Sequence, residues 1–475
     1  MMDEPEHHQR VKSTLAGNIW PAIPSTEGSQ MLSLLYQMEQ SQWFDPATLE
    51  KQQLQQAKIL LQHAYSSCDH YRTILDEQAI NPDDINSMQA WRTLPILKRT
   101  TVQESKDRLL SNSTPKSHGR ISSGNTSGST GQPLTYHKTE LSQLIWKAHT
   151  VRDHLWHRRD FSKKIAYIRD MQKQRSRFSE GVLIPGWGPV TNAIYETGPS
   201  AIMDSSTPIE QQCRWLIETD PTYLLSYASN LEAIANWFKL NNHTLPSLQE
   251  ALSFGELLKP DTRSLYRDLF EASVSSTYSS NEIGYLALQC HEKGSYHVQT
   301  ESVLLEIVDS EGEPCLPGEV GRVIVTPLHN FAMPLIRYEI GDYAELATPC
   351  SCKRGSPTIS QVMGRERNML RLPDGSSQWP SLNSEFRGVL LSLITTPRFQ
   401  VVQTELRKLE LRIETSQSLP PSGEERIREA LNKSIGEQYA YSIKLHYLNS
   451  GELSNNHKLE DFRSELIQSD REQTV

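Results

Sequence analysis

The sequence is poor in cysteine, in sustained apolar runs and in clustered positive charge. Six cysteines scattered over 475 residues do not make a disulfide framework, which points to a reducing compartment. No window approaches the roughly 20 apolar residues a membrane-spanning helix needs, and a run such as residues 389–394 stops far short. With 48 Lys and Arg against 57 Asp and Glu the net charge is −9, and no basic cluster interrupts the acidic balance, so bulk nucleic-acid binding is not expected. Residues 1–10 are polar and acidic, unlike a basic head with an apolar run behind it, and no secretory signal is expected. Together these absences predict a cytoplasmic protein with neither membrane nor nucleic acid among its partners, acting as monomer or homodimer. At 475 residues the chain exceeds what one hydrophobic core usually serves, and two domains are expected.

What the chain does have is a loop of unusual composition. Ser122-Ser123-Gly124-Asn125-Thr126-Ser127-Gly128-Ser129-Thr130-Gly131-Gln132-Pro133 gathers hydroxyl side chains and three glycines into twelve residues, ahead of the strand-like Leu134-Thr135-Tyr136. Glycine lets successive backbone N–H groups face an anion, and hydroxyls add donors, so the loop suits a polyphosphate. No Gly-Lys-Ser/Thr closes it, which sets it apart from a P-loop of the Walker type. A flexible Gly/Ser linker is the competing reading of the same composition.

Periodicity gives a coarse plan. Residues 1–28 are polar, broken by Pro21, Pro24 and Gly28, and expected to be mobile. Helical spacing predominates from 31 to about 110, including a glutamine-rich stretch around Leu54, Ile59, Leu60 and Leu61 that reads as a solvated helix face. From the loop to residue 360, helices such as 140–156 alternate with short strands such as 164–168 and 223–225. Residues 302–307 and 320–326 read as strands too, and the pattern predicts a layered α/β domain. After Gly364 it restarts, with strands over 399–403 and 409–413 and a helix over 423–435.

The spacing of the loop resembles the phosphate loop of the adenylate-forming superfamily of acyl-CoA synthetases, and the chain is most similar to its phenylacetate-CoA ligase and CapK-like branch. Three further segments, in the family's order, carry the resemblance. Tyr278-Ser279-Ser280-Asn281-Glu282-Ile283-Gly284 is similar to Tyr-Gly-x-Thr-Glu-x-Gly, Pro334-Leu335-Ile336-Arg337-Tyr338-Glu339-Ile340-Gly341-Asp342 to Pro-Leu-Ile-Arg-Tyr-x-Thr-Gly-Asp, and Gly364-Arg365-Glu366-Arg367-Asn368 to the Gly-Arg-x-x-Asp of the interdomain hinge. The resemblance implies a large layered N-terminal α/β domain over 1–363 and a small mobile α+β C-terminal domain over 364–475, hinged near 364–368. It implies ATP-dependent activation of a carboxylic acid as an acyl-adenylate. The acyl group would then pass to coenzyme A or, as an alternative, to an amine, a hydroxyl or a carrier protein; an inactive nucleotide-binding or scaffold protein is the alternative of another class.

By the same resemblance Ser127, Gly128, Ser129, Thr130 and Gly131 hold the ATP phosphates, Glu282 holds Mg²⁺, and Asp342 takes the ribose hydroxyls. Tyr278 and Ser279, with Gly255-Glu256 at a strand end, lie near the adenine, while Arg337 and Arg365 meet phosphate or the hinge region. Lys458, in Asn455-Asn456-His457-Lys458, is the counterpart of the lysine that reaches the adenylating centre. The chain departs from the pattern at the hinge, where Asn368 replaces the acid, after Tyr278, where Ser-Ser-Asn replaces Gly-x-Thr, and before Lys458, where His457 replaces glycine.

Some relatives in that branch carry Cys-Pro-Cys-Gly where Cys350-Ser351-Cys352-Lys353 stands here, and Cys290 is followed by His291 and His297. Thiolates and imidazole in a four-fold set are the donors structural zinc prefers. The expected site is Cys290, His297, Cys350 and Cys352, with His291 competing for the place of His297. Cys68, Cys213 and Cys315 have no such company and read as structural.

Overall fold

The computed structural model describes residues 9–105, 107–126, 134–171, 174–394, 398–415, 418–449, 452–453 and 460–466. The chain builds a large mixed α/β domain followed by a smaller C-terminal α+β domain. Internal contacts divide it into two compact units, residues 1–165 with 183–200 and 275–362, and residues 166–182 with 201–274 and 363–475. No helix among the described residues is long and apolar enough to cross a membrane.

The first unit packs N-terminal helices against a sheet whose neighbouring strands run Val303–Val308, Val320–Pro327, Tyr338–Leu346, Thr358–Arg365, Tyr296–Val298, Gly284–Gln289 and Ser273–Ser280. The helix Pro46–Ser67 starts where Asp45 caps the Thr48 N–H at 3.0 Å, with Pro46 at the first helical position, where its missing donor costs nothing. Its buried Ala57, Leu60, Leu61 and Ala64 join Trp91, Leu286, Val325, Tyr338 and Ile359 in one core. The glutamine-rich face is only partly solvated, which corrects the sequence expectation. Gln53 donates to the carbonyl of Val303 at 2.8 Å and Gln56 to that of Leu328 at 3.3 Å, so these amides tie the helix to the end of the sheet. Within residues 9–28, the Lys12 N–H donates to Ile194 at 2.7 Å and Arg10 accepts from the Glu196 N–H at 2.9 Å.

The second unit begins with short strands in the order Glu250–Ser253, Tyr223–Ser226, Ile165–Arg169 and Ser200–Asp204, the first two parallel. The helices Ile209–Thr219, Ala228–Asn241 and Pro260–Phe270 pack on them through Leu216, Leu231, Ile234, Phe238, Tyr266 and Phe270. The C-terminal domain has its own core of Phe386, Leu390, Val401, Leu411, Ile427, Leu431 and Phe462. Two helices, Ser384–Leu393 and Pro421–Ile435, cover a four-stranded sheet ordered Ser442–Leu448, Lys408–Glu414, Arg398–Glu405, Phe462–Ser464.

Candidate active site and metal centre

The segments flanking the hydroxyl-rich stretch, Ile121–Asn125 and Thr135–Thr139, pair antiparallel in the register Asn125 opposite Thr135 and Ser122 opposite Lys138. The base of the stretch is closed by two bonds: the Thr126 N–H donates to Leu134 at 2.9 Å, and the Leu134 N–H donates to the Thr126 hydroxyl at 3.1 Å. Ser127, Gly128, Ser129, Thr130 and Gly131 lie outside the described residues, as does Lys458.

Glu282 sits in the tight turn between the strands Ser273–Ser280 and Gly284–Gln289 and is 4 % exposed. Arg99 joins it to the loop. One guanidinium nitrogen lies 3.6 Å from the Glu282 carboxylate and donates to the Tyr338 hydroxyl at 3.2 Å, while the other donates to the Thr126 hydroxyl at 3.1 Å. The Tyr278 hydroxyl donates to Asp342 Oδ2 at 2.9 Å, which orients the half-buried carboxylate beyond Gly341, itself at φ 87°. Ser279 is half-buried on the strand that carries Tyr278.

Arg337 is committed to its own unit. Although not glycine, it holds φ 48°, a left-handed conformation that costs about 1–2 kcal/mol. Its side chain pairs with Glu306 at 3.1 and 3.2 Å and donates to the carbonyls of Arg92 and Leu94, each at 2.5 Å, while its N–H donates to the Thr326 hydroxyl at 2.9 Å. These bonds fix the chain just before Tyr338 and Asp342. In the second unit Gly255 holds φ 72° and Glu256 accepts from the Ser229 N–H at 2.8 Å. Also there, the Arg365 N–H donates to Asn368 Oδ1 at 2.9 Å, Asn368 Nδ2 donates to the Phe462 carbonyl at 2.7 Å, and Arg367 pairs with Glu460.

A second cluster lies on the first unit's sheet. Cys290 ends the strand Gly284–Gln289, His297 is central in Tyr296–Val298, and Cys350 and Cys352 belong to the turn between Tyr338–Leu346 and Thr358–Arg365. The Sγ atoms of Cys290 and Cys350 are 3.9 Å apart, Cys352 Sγ lies 3.2 Å from His297 Nε2, and all four donor atoms fall within 4.8 Å of one another. Tetrahedral zinc with Zn–S of about 2.3 Å spaces sulfurs about 3.8 Å apart, so the set fits that ion. His297 turns its other nitrogen to the Ser356 hydroxyl at 3.2 Å, which fixes the ring orientation. Burial, then the charges of Arg354 and Arg152, push its pKa down to about 4, keeping the imidazole neutral as a ligand must be. Burial works to raise the Cys350 thiol, yet hydrogen bonds from Cys352, Ser295 and Cys290 bring it below its ordinary value; burial pushes Cys290 up to about 11. His291, the competing ligand, is exposed and faces the ring of His157.

No protein-family model matches the chain. It is 24% identical over 378 residues to the phenylacetate-coenzyme A ligase of Thermus thermophilus, spanning 77% of this chain and 81% of that protein. It is 22% identical over 415 residues to the phenylacetate-coenzyme A ligase of Aromatoleum evansii, spanning 83% and 89%. Among solved structures, a 2-hydroxyisobutyryl-CoA ligase in its postadenylation state superposes with a TM-score of 0.66 at 15% identity, over 91% of this chain and 93% of that one. The chain thus shares the fold of that CoA ligase and is similar in sequence to phenylacetate-coenzyme A ligases.

The structure brings the Thr126 end of the loop, Glu282, Tyr278 and Asp342 into one unit, and the four candidate metal donors into another part of that unit. Sequence reasoning did not single out Arg99, Glu306 or Lys138. Arg99 sits in an unremarkable Lys-Arg-Thr-Thr run, and no local signal marks it; its partners come from distant segments.

Proposed function

We propose that the chain is an ATP-dependent carboxylate ligase that makes an acyl-adenylate and passes the acyl group to coenzyme A, with a compact aryl or similar acid as substrate. The observation that carries this reading is the Arg99 bridge from the base of the hydroxyl-rich loop to the buried Glu282, in the unit that also holds the oriented Asp342. The phenylacetate-CoA ligases among the relatives support CoA as acceptor and an aryl acid as donor.

In the first step a carboxylate oxygen attacks the α-phosphorus of ATP; the bond to the β-phosphate breaks and pyrophosphate leaves. In the second the acceptor thiolate attacks the acyl carbon and AMP leaves. Ser127, Gly128, Ser129, Thr130 and Gly131 cradle the phosphates with N–H and hydroxyl donors, and Glu282 is the carboxylate that would hold Mg²⁺, whose charge would offset that of the phosphates. Asp342 accepts the ribose hydroxyls, its orientation set by Tyr278. Tyr278 and Ser279 lie beside the adenine. Arg337 acts through the strand it positions, Arg365 through the hinge segment, and Lys458 approaches the α-phosphate during the first step. Cys290, His297, Cys350 and Cys352 would hold a structural Zn²⁺, which would add stability rather than chemistry.

Pyrophosphate exchange across a panel of acids, followed by product analysis with and without CoA, tests the reading. Acid-dependent exchange and an acyl-CoA product support it. Absence of exchange with every acid overturns the activity, and turnover with an amine or carrier protein but not CoA overturns the acceptor.

A further inference from the structure

The hydroxyl-rich loop carries no lysine or arginine of its own between Ser122 and Pro133. The strand that leaves it, Thr135–Thr139, carries Lys138, which is only 5 % exposed. The Lys138 ammonium lies 4.2 Å over the ring of Trp146 and 5.5 Å from that of Tyr136. Among the described residues it makes no ion pair and no side-chain hydrogen bond; Glu282 is near enough to act on it through space, but it is Arg99 that pairs with Glu282. Two cations, Arg99 and Lys138, thus face one carboxylate in a buried region, and a positive charge is left without a counter-charge.

Burying an ammonium without a partner costs several kcal/mol, and aromatic faces return only part of that. Burial accordingly pulls the Lys138 pKa down to about 7, with Glu282 opposing the shift. Trp146, Tyr136 and Glu282 together offset only part of the cost of a charge at this buried position. The charge becomes favourable once an anion enters.

The geometry points to Lys138 as the residue that receives an anionic oxygen of the bound substrates, either the carboxylate of the acid or a phosphate of ATP. This rests on the ligase reading above and adds to it a cation the loop itself does not supply. The ammonium is then paired, hydrogen-bonded and screened from water, the setting in which a charge-assisted bond is strongest. A carboxylate held there is fixed before it attacks; a phosphate held there is neutralised during the attack.

The test uses the full chain with Lys138→Met and Lys138→Arg. Melting temperature, equilibrium binding of ATP and of inorganic pyrophosphate, and the KM values for ATP and for the best acid in pyrophosphate exchange are all measured. Lys138→Met is expected to melt no lower than wild type, because an unpaired buried charge has been removed, and to lose at least ten-fold in affinity for one anion. Lys138→Arg is expected to regain part of it. A rise confined to the acid KM assigns the carboxylate; a rise in the ATP KM with weaker pyrophosphate binding assigns the phosphate. Unchanged binding and unchanged KM values in Lys138→Met, with wild-type exchange intact, overturn the role of Lys138 alone. So does a fall in melting temperature that Lys138→Arg fully restores while both affinities stay at wild type, since that is the signature of a structural residue. A wild type that neither exchanges pyrophosphate nor binds ATP or pyrophosphate overturns the ligase reading and the anion site together.

Discussion

Replacing Asp461 with asparagine should loosen the C-terminal domain within the second unit, and the size of the effect follows from four side chains. Asp461 accepts from Lys259 and from Arg387, each at 2.5 Å, and Glu232 pairs with the same two cations at 2.7 and 3.0 Å. The four charges close a ring that joins the helix Ala228–Asn241, the N-cap of Pro260–Phe270, the helix Ser384–Leu393 and the residue before the strand Phe462–Ser464. Their side chains are 13 to 24 % exposed, between the limits of a solvated and a buried pair. Removing one partner of a fully buried pair costs about 3–5 kcal/mol, and the residual exposure here lowers that to about 2–3 kcal/mol. At about 2–4 °C per kcal/mol for a unit of this size, Asp461→Asn should melt roughly 5–10 °C below wild type at pH 7. Burial acts to raise the Asp461 carboxyl, but Lys259 and Arg387 bring it down to about 2 from an ordinary 3.8. A carboxyl depressed on folding adds stability above its unfolded value and loses it as pH falls through the folded one, so the gap between variant and wild type should be complete above about pH 4 and close toward pH 2. Thermal unfolding followed from pH 2 to 7 reads both quantities. A shift below 1 °C at pH 7, or a gap that widens on acidification, would refute the reasoning.

Three further outcomes are expected. Thr130→Val and Glu282→Gln should each raise the adenylation barrier by roughly 2–4 kcal/mol, measured by pyrophosphate exchange, Glu282→Gln also melting lower because half-buried Arg99 loses its charged partner; wild-type rates in both would remove them from the site. Metal analysis of untagged protein should find one zinc per chain, and the double variant Cys350→Ser/Cys352→Ser should lose it and melt lower, as should wild type treated with a chelator; unchanged melting would make the thiols incidental. Lys458→Ala should slow acyl-adenylate formation by about 10²-fold or more while transfer from a supplied acyl-adenylate stays near wild type, and equal loss in both half-reactions would exclude a role confined to the first.

Much of the fold was legible because its signals are local. The helix expected over 140–156 is Glu140–Trp156, marked by Thr139, whose hydroxyl accepts from the Ser142 N–H at 3.2 Å, and by Glu140 in the first turn. The β-branched runs near 302 and 320 are the strands Val303–Val308 and Val320–Pro327, paired with each other across the intervening turn. The choice between His291 and His297 was not legible, because both follow Cys290 at plausible spacings. Strand pairing decides it: His297 lies opposite Leu288 and Thr358 and is fully buried, while His291 falls in the turn. Arg99 and Lys138 were missed for a different reason. Arg99 is distinguished by its remote partners Glu282, Tyr338 and Thr126 and Lys138 by its burial against Trp146, and neither leaves a mark on neighbouring residues. The partners of Arg337 show the same limit, since Glu306 and the Arg92 and Leu94 carbonyls reach it only through the fold.

The most direct test of the central claim is a rapid-quench single turnover with ATP and the acid that best supports exchange, with the products identified by mass spectrometry. The account predicts an acyl-adenylate and pyrophosphate in equal amounts from wild type, and a yield at least about 10²-fold lower at the same early time from Glu282→Gln. Release of ADP and phosphate, or an acyl-adenylate formed at the wild-type rate by Glu282→Gln, would contradict it.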